Sequence, residues 1–394
     1  MKNKTSLLLF GLLIFSAAVY SQRVEKVPLG GCTTGMYTKA DYMTDASGFL
    51  QRALQQRGQI PGSSDLISLP YTIKCFIRIF RNSNGSNQAI TEETARQNFE
   101  EMNVQYSGHN ICFQLLGIDF INDTYGNNMR YDSLLDTDYK TYLNTKRISS
   151  SFTIFVHDTF VESGSSGNAY DIPNSFVSIA RWAANSADVR SIFAHEVGHA
   201  LGLYHTFQKQ YYVNGTVKSE QVTRNSANSC YNCSTFGDYC CDTPADYSGS
   251  QDSVNVASCT YSGTAKDTCS LLAYNPNTIN IMSYMPWTCI SATSTGFTTD
   301  QRTRLHAAIN DVNGPVYSKL VHNAFTFGLG ANFSSGFITE AAKYTLTSSG
   351  NNTYSGTTKF YGAINNSGYI TISPGTTFAP ASGGLASLTV TECN

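Results

Sequence analysis

The chain has 394 residues, 14% of them charged, and a formal net charge of −2. That is enough length for two domains with removable segments besides. The sparse, balanced charge excludes a nucleic-acid surface built on a basic patch and offers no charge run for a membrane surface.

Lys2 and Lys4 precede an apolar run from Leu7 to Val19, and Val19-Tyr20-Ser21 follows before Gln22. This is the layout of a secretory signal peptide over residues 1–21, cut after Ser21. The run is short for a transmembrane helix, and no later stretch offers one. Leu29-Gly30-Gly31-Cys32 looks like a lipoprotein box, but Arg23, Glu25 and Lys26 separate it from the apolar run, which argues against lipidation. Eleven cysteines in an exported chain imply disulfides with one thiol left over. The pair Cys230 and Cys233 also allows a zinc ribbon, a reading that export disfavours.

Residues 22–68 are polar, with a Pro-Gly-Ser-Ser break at 61–64, and read as a pro-segment. Tyr71–Phe80, rich in Ile and Phe, is predicted as a buried strand. A helix follows from an N-cap at Thr91, with Glu92 and Glu93 in its first turn. Ala95, Phe99, Met102 and Tyr106 share one face of it, so it should pack on a sheet. Ile111–Ile118 is the next strand, and strand–helix–strand order implies a parallel pair. Cys75 and Cys112 then lie on neighbouring strands, where they either bond or serve as small core residues. Phe152–His157 and Phe176–Ala180 are further strands, the second after a Gly/Ser loop at Ser163–Gly167.

A helix from about Ser186 carries His195-Glu196-Val197-Gly198-His199 and should stop at Gly202. Histidines four apart project from one helical face and can grip one metal ion. Glu196 stands about 100° round the helix, where it can hold a metal-bound water. Gly202 enters left-handed backbone space without steric cost, which lets His205 swing back as a third ligand. Three neutral imidazoles leave a tetrahedral zinc one open position, the arrangement of a catalytic site. Residues 208–280 are loop-like, polar and rich in cysteine, and Asp300–Asn310 reads as a helix. From about Gly314 short alternating runs at Lys343–Thr347, Lys359–Ala363, Tyr369–Ser373 and Leu388–Thr391 indicate an all-β module with no strict repeat.

The spacing His195-Glu196-x-x-His199-x-x-Gly202-x-x-His205 resembles the metzincin clan of zinc peptidases at every fixed position. Asn280-Ile281-Met282-Ser283-Tyr284 resembles the clan's methionine turn. Gly237-Asp238-x-x-x-Asp242-Thr243-Pro244, Tyr274-Asn275-Pro276, Cys289 and Phe297-Thr298-x-x-Gln301-x-x-Arg304 narrow the likeness to the pappalysin family, in an exported bacterial member. The resemblance covers about residues 71–310. It implies an α/β (α+β) metzincin-type zincin, with a twisted mixed sheet, packed helices, a zinc cleft and a loop-rich disulfide-tied subdomain. The expected domains are then 69–313 for catalysis and 314–394 for the β-rich module.

The resemblance makes His195, His199 and His205 zinc ligands, Glu196 the general base, Met282 the apolar floor and Tyr284 a partner of the oxyanion. It pairs Cys259 with Cys289 and Cys269 with a cysteine at 230–241. It makes calcium a second cofactor, with Asp238, Asp242 and Thr243 as hard oxygen ligands; the same side chains could instead cap the backbone of their turn. Family members that cut before Arg or Lys carry Asp immediately before the cysteine after the methionine turn. Thr288 stands there, so a neutral or broader preference is expected. The partners implied are proteins or peptides, lying extended along an edge strand near Phe176–Ala180. Cys32 could occupy the open zinc position until the pro-segment is removed, or pair with Cys393 or another cysteine.

Two other readings compete. One is a catalytically idle metzincin-like scaffold used for extracellular adhesion or binding, against which the retention of Glu196 beside all three histidines argues. The other is a secreted zinc hydrolase of small amides, against which Tyr284 and the disulfide-tied loops argue.

Overall fold

The computed structural model describes residues 70–129, 136–160, 165–186, 192–208, 210–211, 217–290 and 296–327, with short backbone strands beyond them to residue 390. The expected leader, the pro-segment with Cys32, and the start of the metal helix around Asp188 lie outside the described residues.

Strand β1 (Tyr71–Arg81) runs through the middle of a five-stranded sheet. Its residues Thr72 to Ile77 are all buried, so it is covered on both faces, with Ile73, Cys75 and Ile77 on one and Thr72, Lys74 and Phe76 on the other. Helix α1 (Glu92–Ser107) carries the chain over to β2 (Ile111–Asn122), which pairs in parallel with β1. Thr91 caps α1 as expected, its hydroxyl accepting the Thr94 N–H, and Ala95, Phe99, Met102 and Tyr106 form the buried face. Helix α2 (Asp136–Lys146), which lacks a clear apolar stripe and was not foreseen, precedes β3 (Phe152–His157). Strand β4 (Gly167–Asn168) is followed by β5 (Phe176–Ala180) and a short helix α3 (Arg181–Ala184).

The strand order is β2-β1-β3-β5-β4, with every pair parallel except β5 with β4. This corrects the expected edge: β5 is flanked on both sides, and the rim is the two-residue β4. The Gly/Ser loop expected at this position therefore contains a strand. Helix α4 (Ile192–Ala200) packs under the sheet, buried at all nine positions. Tyr106 ties α1 to it by donating its hydroxyl to the Ala194 carbonyl at 2.8 Å.

Beyond α4 the described chain is mostly turns up to α5 (Thr299–Asn310), with two small antiparallel pairs, Gln210–Tyr211 with Val217–Lys218 and Val254–Asn255 with Thr260–Tyr261. The bridges are Cys230–Cys269, Cys233–Cys241 and Cys259–Cys289, the first and last in line with the expected pairings. Cys75 and Cys112 do not pair, because Cys112 stands opposite Thr72 while Cys75 stands opposite Leu115. Cys75 is a buried free thiol, and Cys112 is bonded to a cysteine outside the described residues. The β-rich region holds β6 (His322–Phe327), β7 (Phe337–Ser348), β8 (Thr357–Gly362), β9 (Tyr369–Ile372) and β10 (Ala386–Val390). Among the described residues its strands pair in parallel, with β7 joined to β6, β8 and β9 and β8 joined to β10.

Candidate active site

His195 and His199 lie one turn apart on α4, and the helix ends as its sequence requires. Gly202 takes φ +97°, and the Leu203 N–H turns back to the Gly198 carbonyl at 2.9 Å. Arg304 of α5 donates to the freed Gly202 carbonyl at 2.9 Å and so fixes the exit of the chain. His205 is returned to the other two. The Nε2 atoms of His199 and His195 are 3.3 Å apart, and those of His199 and His205 are 3.1 Å apart. Among the described residues this triad is the one group of three or more His, Cys, Asp or Glu placed to hold a metal ion.

Each ring is oriented through its other nitrogen. His195 Nδ1–H donates to the Ile281 carbonyl at 2.6 Å, and His199 Nδ1–H to the Leu203 carbonyl at 2.7 Å. That leaves the Nε2 lone pairs facing one another, as metal coordination demands. Burial pushes the His195 pKa down to about 4 and those of His199 and His205 well below the ordinary imidazole value, the last two further lowered by their neighbours. The rings are therefore neutral at pH 7 and available as ligands.

Glu196 is buried on the same helix, beneath the rim strand. A Cβ added to Gly167 would stand 2.6 Å from its Cγ and Oε1, so the rim lies directly on the carboxylate. Met282 sits against Gly198, where an added Cβ would meet its sulfur at 2.5 Å. The methionine turn is held from two sides. Thr206 N–H donates to the Met282 carbonyl at 3.1 Å, and Asn280 donates to Gln301 of α5 at 2.9 Å. Here the Phe297–Arg304 motif finds its use: Gln301 braces the turn and Arg304 braces the helix end. Tyr284 packs on His205, with centroids 4.9 Å apart, and Phe207 packs on both at 4.8 Å and 4.5 Å.

Two sequence-based expectations move. Thr288 is exposed on the turn Pro286–Ile290, while its neighbour Trp287 sets its ring edge against His195 at 5.9 Å. The reason is the turn itself, closed by the Cys289 N–H on the Pro286 carbonyl at 2.8 Å. Asp238, Asp242 and Thr243, expected either as calcium ligands or as turn caps, are engaged with the chain itself, Asp238 and Thr243 with one another among their bonds. Asp242 is exposed and accepts the Asp300 N–H at 2.9 Å, whereas Asp238 is buried and accepts the Cys240 N–H at 3.0 Å. Burial pushes Asp238 up to about 7, and Thr243 shares its hydroxyl with Thr298 at 3.2 Å. These side chains cap backbone and brace α5. Sequence reasoning missed Gly167, Trp287 and the buried carboxylates Glu220 and Asp246. Of these, Asp246 stands two residues after Pro244, Trp287 directly precedes Thr288 and Gly167 closes the Gly/Ser loop, whereas Glu220 adjoined no motif.

Residues 81–228 match the profile of the family described as Matrixin. The chain is 24% identical over 265 residues to an extracellular metalloprotease of Colletotrichum graminicola, covering 64% of this chain and 81% of that one. Metalloproteinase-II from Bacteroides fragilis aligns at a TM-score of 0.26 and 14% identity, over 50% of this chain and 57% of that one. A chaperone–substrate complex aligns at the same TM-score and identity, over 47% of this chain and 30% of that one. The chain thus spans less than two thirds of either solved structure. The matrixin match begins at the end of β1 and spans α1, β2, β3, β4, β5 and the histidine helix α4; with the metalloprotease relative it supports a metalloprotease.

Proposed function

We propose that the chain is a secreted zinc endopeptidase of the pappalysin type, with His195, His199 and His205 as zinc ligands and Glu196 as general base. The observation that carries this reading is the convergence of three neutral imidazoles beside a buried glutamate, directly under an antiparallel rim strand. When bound there, zinc lowers the pKa of a water toward ~7 and polarises the scissile carbonyl.

The chain's own residues do the rest. Glu196 takes the proton from the attacking water and returns it to the leaving amine. Tyr284, set edge-to-face against His205, is within the same cluster of rings and would donate its hydroxyl to the developing oxyanion. The rim strand β4 would lie alongside an extended peptide and align it by main-chain hydrogen bonds. Trp287, with no acidic residue at 288, favours a neutral side chain beside the metal. Calcium enters no step of this reading: Asp238 and Asp242 accept backbone N–H groups and Thr243 shares its hydroxyl with Thr298.

Export is supported by the leader-like N-terminus, by three disulfides among the described residues and by the extracellular relative. No described helix is long and apolar enough to cross a membrane. The test is digestion of a peptide library by the purified protein and by Glu196→Ala. Loss of cleavage with zinc content unchanged is expected. Cleavage by the alanine variant at the wild-type rate would remove Glu196 from the mechanism. Dominant cuts before Arg would remove the neutral preference.

A further inference from the structure

Asp246 is buried on the disulfide-tied loop, and no step above uses it. Its Oδ2 accepts the Thr206 hydroxyl at 2.6 Å and the Ser283 hydroxyl at 2.8 Å. Its Oδ1 accepts the Ser250 hydroxyl at 2.6 Å and the Tyr247 N–H at 2.7 Å. One oxygen therefore faces the metal site, and the other is fixed by the loop that carries it. Thr206 directly follows His205, and Ser283 stands between Met282 and Tyr284.

We propose that Asp246 is a positioning residue for the metal site: its Oδ2 joins the segment of the third ligand to the methionine turn, and so sets His205 against Tyr284. This rests on His205 as ligand and Tyr284 as oxyanion donor. The chemistry fits a carboxylate, which accepts at both oxygens from four donors without offering any of its own. An amide there has one acceptor oxygen and two N–H donors, so it cannot receive all four. Burial raises the Asp246 pKa while its four donors lower it, so the bonds to Thr206 and Ser283 help hold the charge. Through those bonds the position of the loop Asp246–Ser250 is transmitted to the ring of His205. Groups that orient ligands from outside the metal shell typically cost 10- to 100-fold in metal affinity or activity when removed.

The test uses the full chain, with zinc affinity measured by competition against a chromogenic chelator, peptide cleavage, and thermal melting of the metal-free protein. Asp246→Ala is expected to lower zinc affinity or kcat by about tenfold with KM little changed. Thr206→Val should move the same quantities in the same direction, and Thr206→Ser, which keeps the hydroxyl, should restore them. Should Asp246→Ala fail to fold, Thr206→Val and Ser283→Ala decide, since each removes one bond to Oδ2. Wild-type zinc affinity and kcat in both would overturn the proposal, whatever their melting temperatures. A wild-type protein that binds zinc and cleaves no peptide would defeat the peptidase reading, while the zinc measurements would still judge Asp246.

Discussion

The metal site is shared between two regions built on different physical terms. The described residues of 71–202 form a sheet and helices around a main apolar core, from Ile73 and Ile77 to Phe193 and Leu201, with a smaller cluster about Phe80 and Phe155. The described residues of 203–290 have little regular structure; Ile281, Met282 and Met285 reach that core, and the rest is held by three disulfides and by side chains that cap turns. Asn228 accepts the Cys230 N–H at 2.8 Å and Asp267 accepts the Cys269 N–H at 2.9 Å, so the cysteines themselves are set by such turns. Two histidines come from the first region and the third from the second. The first region is specified by burial of apolar surface, which resists small changes. The second depends on cross-links that restrict its unfolded chain.

The largest effects should fall on those cross-links. Cys230–Cys269 closes 39 residues and Cys233–Cys241 closes 8. On loop-closure entropy, replacing the first pair by serine should cost about 4 kcal/mol and the second between about 2 and 3. Urea unfolding of the two double variants measures the difference. Equal losses would show that something other than chain restriction is what the bridges supply.

The two regions should also respond to pH in opposite senses. In the sheet, His157 is buried between the Gly126 carbonyl and the Ser178 hydroxyl, and burial lowers its pKa to about 4. The unfolded chain takes up this proton near 6.5, so stability is complete above that value and falls as pH drops toward 4. In the loops, burial raises Asp238 to about 7. The folded chain there keeps a proton that the unfolded chain releases near 4, so this contribution is full below 4 and is lost as pH rises toward 7. The upper bounds are roughly 3 kcal/mol for His157 and roughly 4 kcal/mol for Asp238. Unfolding of the metal-free protein across pH 4 to 7 should show the His157→Gln and Asp238→Asn variants departing from wild type with opposite slopes. Parallel profiles would erase the contrast.

At the junction of the regions, Gly167→Ala should press on Glu196 without touching a metal ligand. A displacement of the base by a fraction of an ångström is expected to lower kcat by about tenfold or more at unchanged zinc content. Wild-type kcat would mean that the rim strand yields instead of the carboxylate.

Gly167 also shows what a sequence conceals. The histidine spacing, the Gly202 exit, the Thr91 cap and the apolar strands were legible because each is local, carried by residue type and period. A two-residue strand has no period to read, so the rim was assigned to Phe176–Ala180, whose apolar run was the stronger signal. Trp287 and Thr288 are neighbours, and only the turn decides which of them meets His195. Asp246 gains its meaning from Thr206 and Ser283, 40 and 37 residues away. In the β-rich region the alternating runs were visible, but alternation is the same for parallel and antiparallel partners, so the parallel pairing was not.

The smallest effect offers the sharpest comparison, because the same residue type performs the same local task in each region. Thr91 caps α1 by accepting the Thr94 N–H at 3.1 Å, with nothing from the loops involved. Thr298 caps α5 by accepting the Gln301 N–H at 3.3 Å, while Gln301 accepts the Thr298 N–H in return at 3.0 Å. Thr298 also meets the Thr243 hydroxyl, and Gln301 reaches Asn280 of the methionine turn. An N-cap threonine replaced by alanine costs about 1 kcal/mol. Thr91→Ala should cost that and no more. Thr298→Ala should cost more, since it also removes a tie to the Asp242–Pro244 loop and loosens the glutamine that braces the turn. Urea unfolding of the two variants, with zinc affinity alongside, separates the cases. Equal costs and unchanged zinc affinity would mean that α5 is capped for its own sake and carries nothing from the loops to the metal site.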